Sequence, residues 1–219
     1  MRIIELNKSV TESNDRDADC LRAEMKKNGT LMINLMSSPG SGKTTLLSRV
    51  ITDMKEELRI GVMEADIASD VDALRIEALG ARAIQAHTDG MCHMDAGMTE
   101  RALRAMGDQD LDLVFLENVG NLICPAEFDT GSGRNIMILS IPEGDDKPLK
   151  YPLMFETCDA LLLTKTDTKE YFDFDFEACE KRVKSLNPDI RIFPVSAKTG
   201  EGMARFEDWI REEVRNWKE

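Results

Sequence analysis

LMINLMSSPGSGKTTLLSRV (31–50) joins an apolar run, a Gly/Ser loop and an amphipathic stretch without a break. LMINLM (31–36) reads as a buried strand, and a helix is predicted from Lys43. Between them lies SSPGSGKTT (37–45), which fits the phosphate-cradling P-loop pattern in the strand–loop–helix setting that pattern requires. Gly40 and Gly42 let the backbone curl so that successive N–H groups, including that of Ser41, face a phosphate. Lys43 brings charge to the β- and γ-phosphates, and the helix behind it adds the positive end of its dipole. Thr44 carries the hydroxyl expected on Mg²⁺. Thr45 is expected at the α-phosphate or as a helix cap. Ser37 stands where the pattern usually has its first glycine.

Outward from this loop, short apolar runs alternate with amphipathic ones. Strands are predicted at 59–65, 81–86, 111–117, 135–141, 160–165 and 190–196. Helices are predicted at 70–79, 95–106, 174–186 and 202–217. With the first strand this makes about seven strands in an α/β domain, a mostly parallel sheet with helices on both faces. Residues 1–29 are expected to form a polar N-terminal extension with a helix closed by Asn28-Gly29, and 30–219 the nucleotide-binding domain. Ligands of such sheets bind outside the C-terminal ends of the strands, and each motif below follows a predicted strand.

Composition sets outer bounds. The 219 residues are 42% hydrophobic and carry a net charge of −13, which argues against a general grip on nucleic-acid phosphates or an anionic membrane. No apolar run reaches the ~18 residues of a membrane-spanning helix. The N-terminal stretch lacks the apolar core of a secretory signal, so a cytoplasmic location is expected. Five widely spaced cysteines do not suggest a disulfide framework.

Two segments point to the base. In TKTD (164–167), the Asp167 carboxylate can accept from guanine N1–H and the exocyclic amine, a donor pair adenine lacks. The Lys165 stem can lie along the base. Thr164 stands where Asn is commoner, a change expected to weaken affinity without changing the base. In SAK (196–198), Ser196, Ala197 and Lys198 follow the next strand, and the Ala197 N–H can reach guanine O6. Together they resemble the fourth and fifth GTPase motifs. After LDLVFL comes ENVGNLICPAEFD (117–129), where GTPases usually have D-x-x-G. Glu117 is expected to face Mg²⁺ or its waters, and the Gly120 N–H to sense the γ-phosphate. Asp66, at the end of the second strand, is the expected water-orienting residue, with Asp70 and Asp72 as acidic alternatives. Lys43, Asp66 and Glu117 form the expected catalytic set, and Thr44, Asp66 and Glu117 the expected Mg²⁺ ligands. With no glutamine or arginine finger evident, slow turnover is expected.

Met91-Cys92-His93-Met94 places a thiol beside an imidazole, donors that suit Zn²⁺ or Ni²⁺. Adjacent Cys-His is not a C-x-x-C knuckle, and the spacing alone equally suits a buried cysteine with a surface histidine. EADIASDVDALRI, HTDGMCHMDAGM, ENVGNLICPAEFD, EGDDKPLKYPLMF, TKTD and SAKTGEGM occur in order over 31–217. Together they resemble the consecutive motifs of the hydrogenase/urease nickel-incorporation GTPase family, and the hydrogenase branch in particular. The resemblance implies a GTP-binding and GTP-hydrolysing metallochaperone that supports nickel insertion into NiFe-hydrogenase. It implies Mg²⁺ with GTP or GDP, and a Ni²⁺ or Zn²⁺ site built from Cys92, His93 and Cys124. That site is expected to be shared across a nucleotide- and metal-dependent homodimer. Hydrogenase maturation proteins or the hydrogenase large subunit are the implied partners.

Members often carry an N-terminal Cys-rich or His-rich nickel motif. This sequence has neither, and Cys20 alone cannot replace one, so metal handling is expected to rest on the domain's own site. Met91, Met94 and Met98 are expected to pack, and His87 to lie at the surface near the site. Lys147 and Lys150 are expected either to reach nucleotide or to be solvated. Three readings stay open beside this one: a urease-type or other metallochaperone GTPase, a GTP-controlled interaction switch that delivers no metal, and a P-loop kinase. The guanine reader argues against the kinase, and Cys124-Pro125-Ala126 in place of C-P-H argues against the urease branch.

Overall fold

Seven parallel strands form one sheet in the order β3-β2-β4-β1-β5-β6-β7. They are β1 (Leu31–Ser37), β2 (Ile60–Glu64), β3 (Arg82–Gln85), β4 (Leu113–Glu117), β5 (Arg134–Ser140), β6 (Ala160–Thr164) and β7 (Arg191–Pro194). The helices are α1 (Leu6–Asn28), α2 (Lys43–Met54), α3 (Asp70–Ala78), α4 (Ala96–Met106), the short α5 (Cys124–Glu127), α6 (Lys147–Lys150) and α7 (Pro152–Glu156), then α8 (Phe176–Leu186) and α9 (Met203–Lys218). The computed structural model describes residues 6–65, 70–107 and 109–219. All seven predicted strands are present, each within three residues of its expected ends.

The central strand β1 separates the two cores by alternation. Leu31, Ile33 and Leu35 face a core shared with Leu46, Leu47 and Val50 of α2 and Phe206, Trp209 and Ile210 of α9. Met32 faces the opposite core with Leu21 and Met25 of α1 and Leu103 of α4, while Met36 packs with Met154, Phe155, Cys179 and Val183 beneath α7 and α8. Both faces being covered, β1, β2, β4 and β6 are buried at every position. This explains why they read as unbroken apolar runs rather than alternating ones.

Helix α1 runs further back than DADCLRAEMKKN suggests, to Leu6. Its added turns contain few apolar residues, and tertiary bonds hold them. Asn14 Nδ2 donates to the Asp129 carbonyl at 2.8 Å, and Ala96 N–H donates to Asn14 Oδ1 at 3.0 Å. Arg22 grips both Asp129 carboxylate oxygens, at 2.7 and 2.5 Å. Among the described residues, no helix is long and apolar enough to cross a membrane.

The bottom of the sheet is closed by Asp112. Its carboxylate accepts from Arg59 N–H and Nε, both at 2.9 Å, and from Lys218 Nζ at 2.6 Å. The Arg59 hydrogen bond, helped by Lys218, holds the Asp112 carboxyl far below its ordinary 3.8 despite partial burial. A depressed folded-state value means stability that is present above the unfolded value and lost as pH falls toward the folded one. Asp112→Asn is therefore expected to cost about 1–2 kcal/mol at neutral pH. Urea unfolding should show that difference shrinking once the pH falls below about 4.

Candidate functional site

The C-terminal ends of β1, β4, β6 and β7 converge on one face, and each carries a motif. After β1 the chain enters the cradle through left-handed turns at Gly40 (φ 74°) and Gly42 (φ 101°), conformations that cost a side-chain-bearing residue energy. No atom lies within 4 Å of where a Gly40 Cβ would sit, so the backbone there is open to a ligand. Gly42 is the N-cap of α2, which presents free N–H groups to an anion. Thr45 is therefore inside the helix and does not cap it. Lys43 is only 6% exposed, its Nζ donating to Ser37 Oγ at 3.0 Å, and Ser41 Oγ donates to the same oxygen at 2.8 Å. Ser37, unlike the usual glycine, thus gives the lysine a resting partner within the loop. Thr44 is the second residue of α2, in its first turn.

Beside the cradle lies a cavity of about 290 Å³ whose lining includes Gly42, Thr164, Lys165, Asp167, Ala197 and Lys198. Ser196 Oγ donates to Asp167 Oδ1 at 2.7 Å, which fixes that carboxylate's orientation. Thr164 Oγ1 donates to the Ser41 carbonyl at 2.8 Å, tying β6 to the cradle. The hydroxyl thus supports the loop where the commoner residue has an amide, and Thr164 also lines the cavity. Lys165 holds a left-handed backbone (φ 60°), and its Nζ donates to the Gly40 carbonyl at 2.7 Å. That bond lays its aliphatic stem along the cavity, 3.6 Å from a Cβ placed on Gly42. Such strain in a non-glycine persists where surrounding contacts over-determine it.

On the other side of β1, Glu117 ends β4 and is buried, in register with the buried Glu64 that ends β2. Glu64 was not singled out from the sequence, because a carboxylate at a strand end carries no pattern until its neighbour is known. Gly120 lies against the cradle: a Cβ there would stand 3.1 Å from Pro39. The segment 117–120 therefore touches the phosphate loop directly. A further unpredicted contact comes from Glu143, whose carboxylate accepts from Ser140 N–H and Oγ, at 2.8 and 2.7 Å, and from Ser38 Oγ of the cradle. Asp66 lies outside the described residues, as do the side chains of Asp70 and Asp72.

The loop after β3 and the segment after β4 bring three soft donors together. Cys92 Sγ lies 2.7 Å from Cys124 Sγ and 3.8 Å from His93 Nδ1. One ligand atom from each of the three falls within 4.8 Å of the others, so a single ion can touch all of them. Phe128 stacks on His93 with ring centroids 3.8 Å apart and nearly parallel planes, fixing the imidazole. Burial pushes His93 below its ordinary value, which favours the neutral, ligating form. The hydrogen bond with Cys92, then burial, raises the Cys124 thiol, and Asn121 Nδ2 reaches its sulfur at 3.4 Å. Two thiols with one imidazole suit Ni²⁺ or Zn²⁺ far better than Mg²⁺. Exposed His87 is not among the clustered donors, and Met94 is buried in the core. Lys150 pairs with Asp146 at 2.5 Å, and Lys147 lies over the Tyr151 ring.

A profile described as the CobW/HypB/UreG nucleotide-binding domain matches residues 31–194. The hydrogenase maturation factor HypB of Azotobacter chroococcum is 46% identical over 209 residues, which are 95% of this chain and 68% of that protein. The crystal structure of HypB from Helicobacter pylori in complex with nickel superposes with a TM-score of 0.88 at 38% identity, covering 93% of this chain and 96% of that one. HypB from Archaeoglobus fulgidus gives 0.87 at 35% identity, covering 93% and 99%.

Proposed function

The chain belongs to the CobW/HypB/UreG nucleotide-binding family, and from that premise we propose that it is a GTP-hydrolysing hydrogenase maturation factor that handles nickel under nucleotide control. The observation that carries this reading is one segment with two contacts: residues 117–128 touch the cradle through Gly120 and supply Cys124 to the thiol–imidazole cluster. GTP binds with its phosphates on Gly40–Thr45 and its guanine against Asp167 and the Ala197 N–H. Mg²⁺ would be held by hard oxygen donors, for which Thr44 and Glu117 are the candidates among the described residues and Asp66, outside them, the expected third. It would supply neutralisation of charge on the β- and γ-phosphates. Lys43, a fixed cation at the cradle, stabilises the charge that develops on phosphoryl transfer.

Nickel is the cargo, held by Cys92, His93 and Cys124, and Zn²⁺ is a competitor for the same donors. Three ligands leave a tetrahedral or square-planar ion incomplete. Exposed Met91 and Ile123, each next to a ligating cysteine, give the cluster an apolar rim. Both features favour a second copy of the chain closing the site in a homodimer. Hydrogenase maturation proteins are the partners of that assembly, and the hydrogenase large subunit is the recipient.

The test uses the purified protein, with turnover of GTP and ATP compared and Ni²⁺ titrated by isothermal calorimetry. GTP-selective hydrolysis and nickel bound at one ion per chain or per dimer are expected. Equal turnover of ATP, or nickel binding no tighter than to a Cys92→Ala, Cys124→Ala double variant, overturns the reading. A sharper prediction concerns the base. Asp167→Asn exchanges two acceptors for one acceptor and one donor, which mismatches guanine and matches xanthine. GTP affinity is expected to fall about 100-fold while that for xanthosine triphosphate rises, as measured by equilibrium binding.

A further inference from the structure

One carboxamide stands between the two halves of this site. Asn118 directly follows Glu117 and is fully buried. Its Oδ1 accepts two backbone N–H groups at once: that of Val119 at 2.9 Å and that of Met94 at 3.1 Å. Val119 precedes Gly120, which rests on the cradle, and Met94 follows His93. The other end of the side chain is anchored, since Asn118 Nδ2 donates to Asn34 Oδ1 at 3.1 Å and Asn34 Nδ2 donates to Asn135 Oδ1 at 3.0 Å. Asn34 belongs to β1, between Met32 and Met36, so this chain of amides crosses an otherwise apolar core. Buried amides are costly unless satisfied, and a satisfied network holds one geometry.

The far end of the segment is held differently. Asn14 of α1 bonds both Ala96, at the start of α4, and the Asp129 carbonyl, and Arg22 of the same helix grips the Asp129 carboxylate. Ala18, Leu21 and Met25 root α1 in the core, so this end is anchored there. The segment from 118 to 129 is thus pinned at one end and rests on the cradle at the other. A shift of Val119 and Gly120 toward a γ-phosphate bears on Asn118 Oδ1, and through it on the backbone beside His93.

We propose that Asn118 is the positioning residue that transmits the nucleotide state to the metal ligands, while Asn14 and Arg22 hold the far end of the segment alike in both states. This rests on the nickel and GTP reading given above. The measurement is the ratio of nickel dissociation constants with a non-hydrolysable GTP analogue and with GDP. The parent is expected to show a ratio differing from one by at least about fivefold, in the range of ordinary allosteric coupling. Asn118→Ala should bring the ratio to about one while nickel and nucleotide each still bind. Asn118→Ser, too short to reach Met94, should do the same if the alanine variant folds poorly. Asn14→Ala should weaken nickel in both nucleotide states and leave the ratio standing, an outcome a merely structural Asn118 would not separate. Folded Asn118→Ala or Asn118→Ser protein with the parent's ratio overturns the proposal. A ratio of one in the parent, with nickel still bound, overturns the coupling itself.

Discussion

Replacing Lys43 with alanine is expected to reduce GTP turnover by 100-fold or more, about 3–4 kcal/mol of transition-state stabilisation. The side chain is held before any ligand arrives: its Nζ rests on Ser37 Oγ and it is almost wholly enclosed. A buried cation that needs little reorganisation acts more strongly on developing phosphate charge than one recruited from solvent. Its removal leaves Ser37 and Ser41 bonded to each other, so the loop is expected to keep its shape. The melting temperature should therefore change little, while phosphate release and binding of a fluorescent GTP analogue both fall. Turnover at the parent's rate would remove Lys43 from the chemistry.

The second large effect is expected at Cys124. Cys124→Ala should weaken nickel by about 100-fold or more, since losing one of three ligands costs more than the 10- to 100-fold seen for outer-shell partners. Cys92 and His93 remain, but the sulfur that Cys92 contacts is gone. Cys124 does not line the cavity at Asp167 and Ala197, so GDP affinity should stay at the parent's value. Calorimetric titration of nickel and of GDP on the same preparation checks both halves. Unchanged nickel affinity would place the ion elsewhere. Loss of both ligands together would indicate misfolding rather than a lost donor, and Cys124→Ser, which keeps the volume, would separate the two.

Much of this protein was legible before any coordinate. The strands of the parallel sheet are apolar runs because both their faces are covered, and the loops that follow them hold the chemistry because parallel strands open their C-terminal ends together. Lys43, Gly120 and Asp167 could be singled out from local spacing, since each sits in a short contiguous motif after a strand, whereas Cys124 was marked only by the family resemblance. Less legible was how the motifs act on each other. Thr164 reads as a weakened base contact but bonds the Ser41 carbonyl 123 residues away. Phe128 and Glu143 lie inside quoted motifs without a role being assigned to them, Asn14 lies outside any motif, and the contacts of all three are with partners 35, 105 and 82 residues distant along the chain, at His93, Ser38 and Ala96.

The sequence by itself determined the strands and helices and the phosphate cradle, because these depend on residue type and short-range order, and it offered Asp167 and the Cys92-His93 pair as candidates. Only the tertiary structure decided that the cradle and the soft donors share a segment with Asn118 at its root. That depends on β4 pairing with β1 on one side and β2 on the other, with β3 next beyond β2. The order of strands in a sheet is set by long-range packing that no local run of residues encodes. It is this order that carries the loop after β3 to the segment after β4.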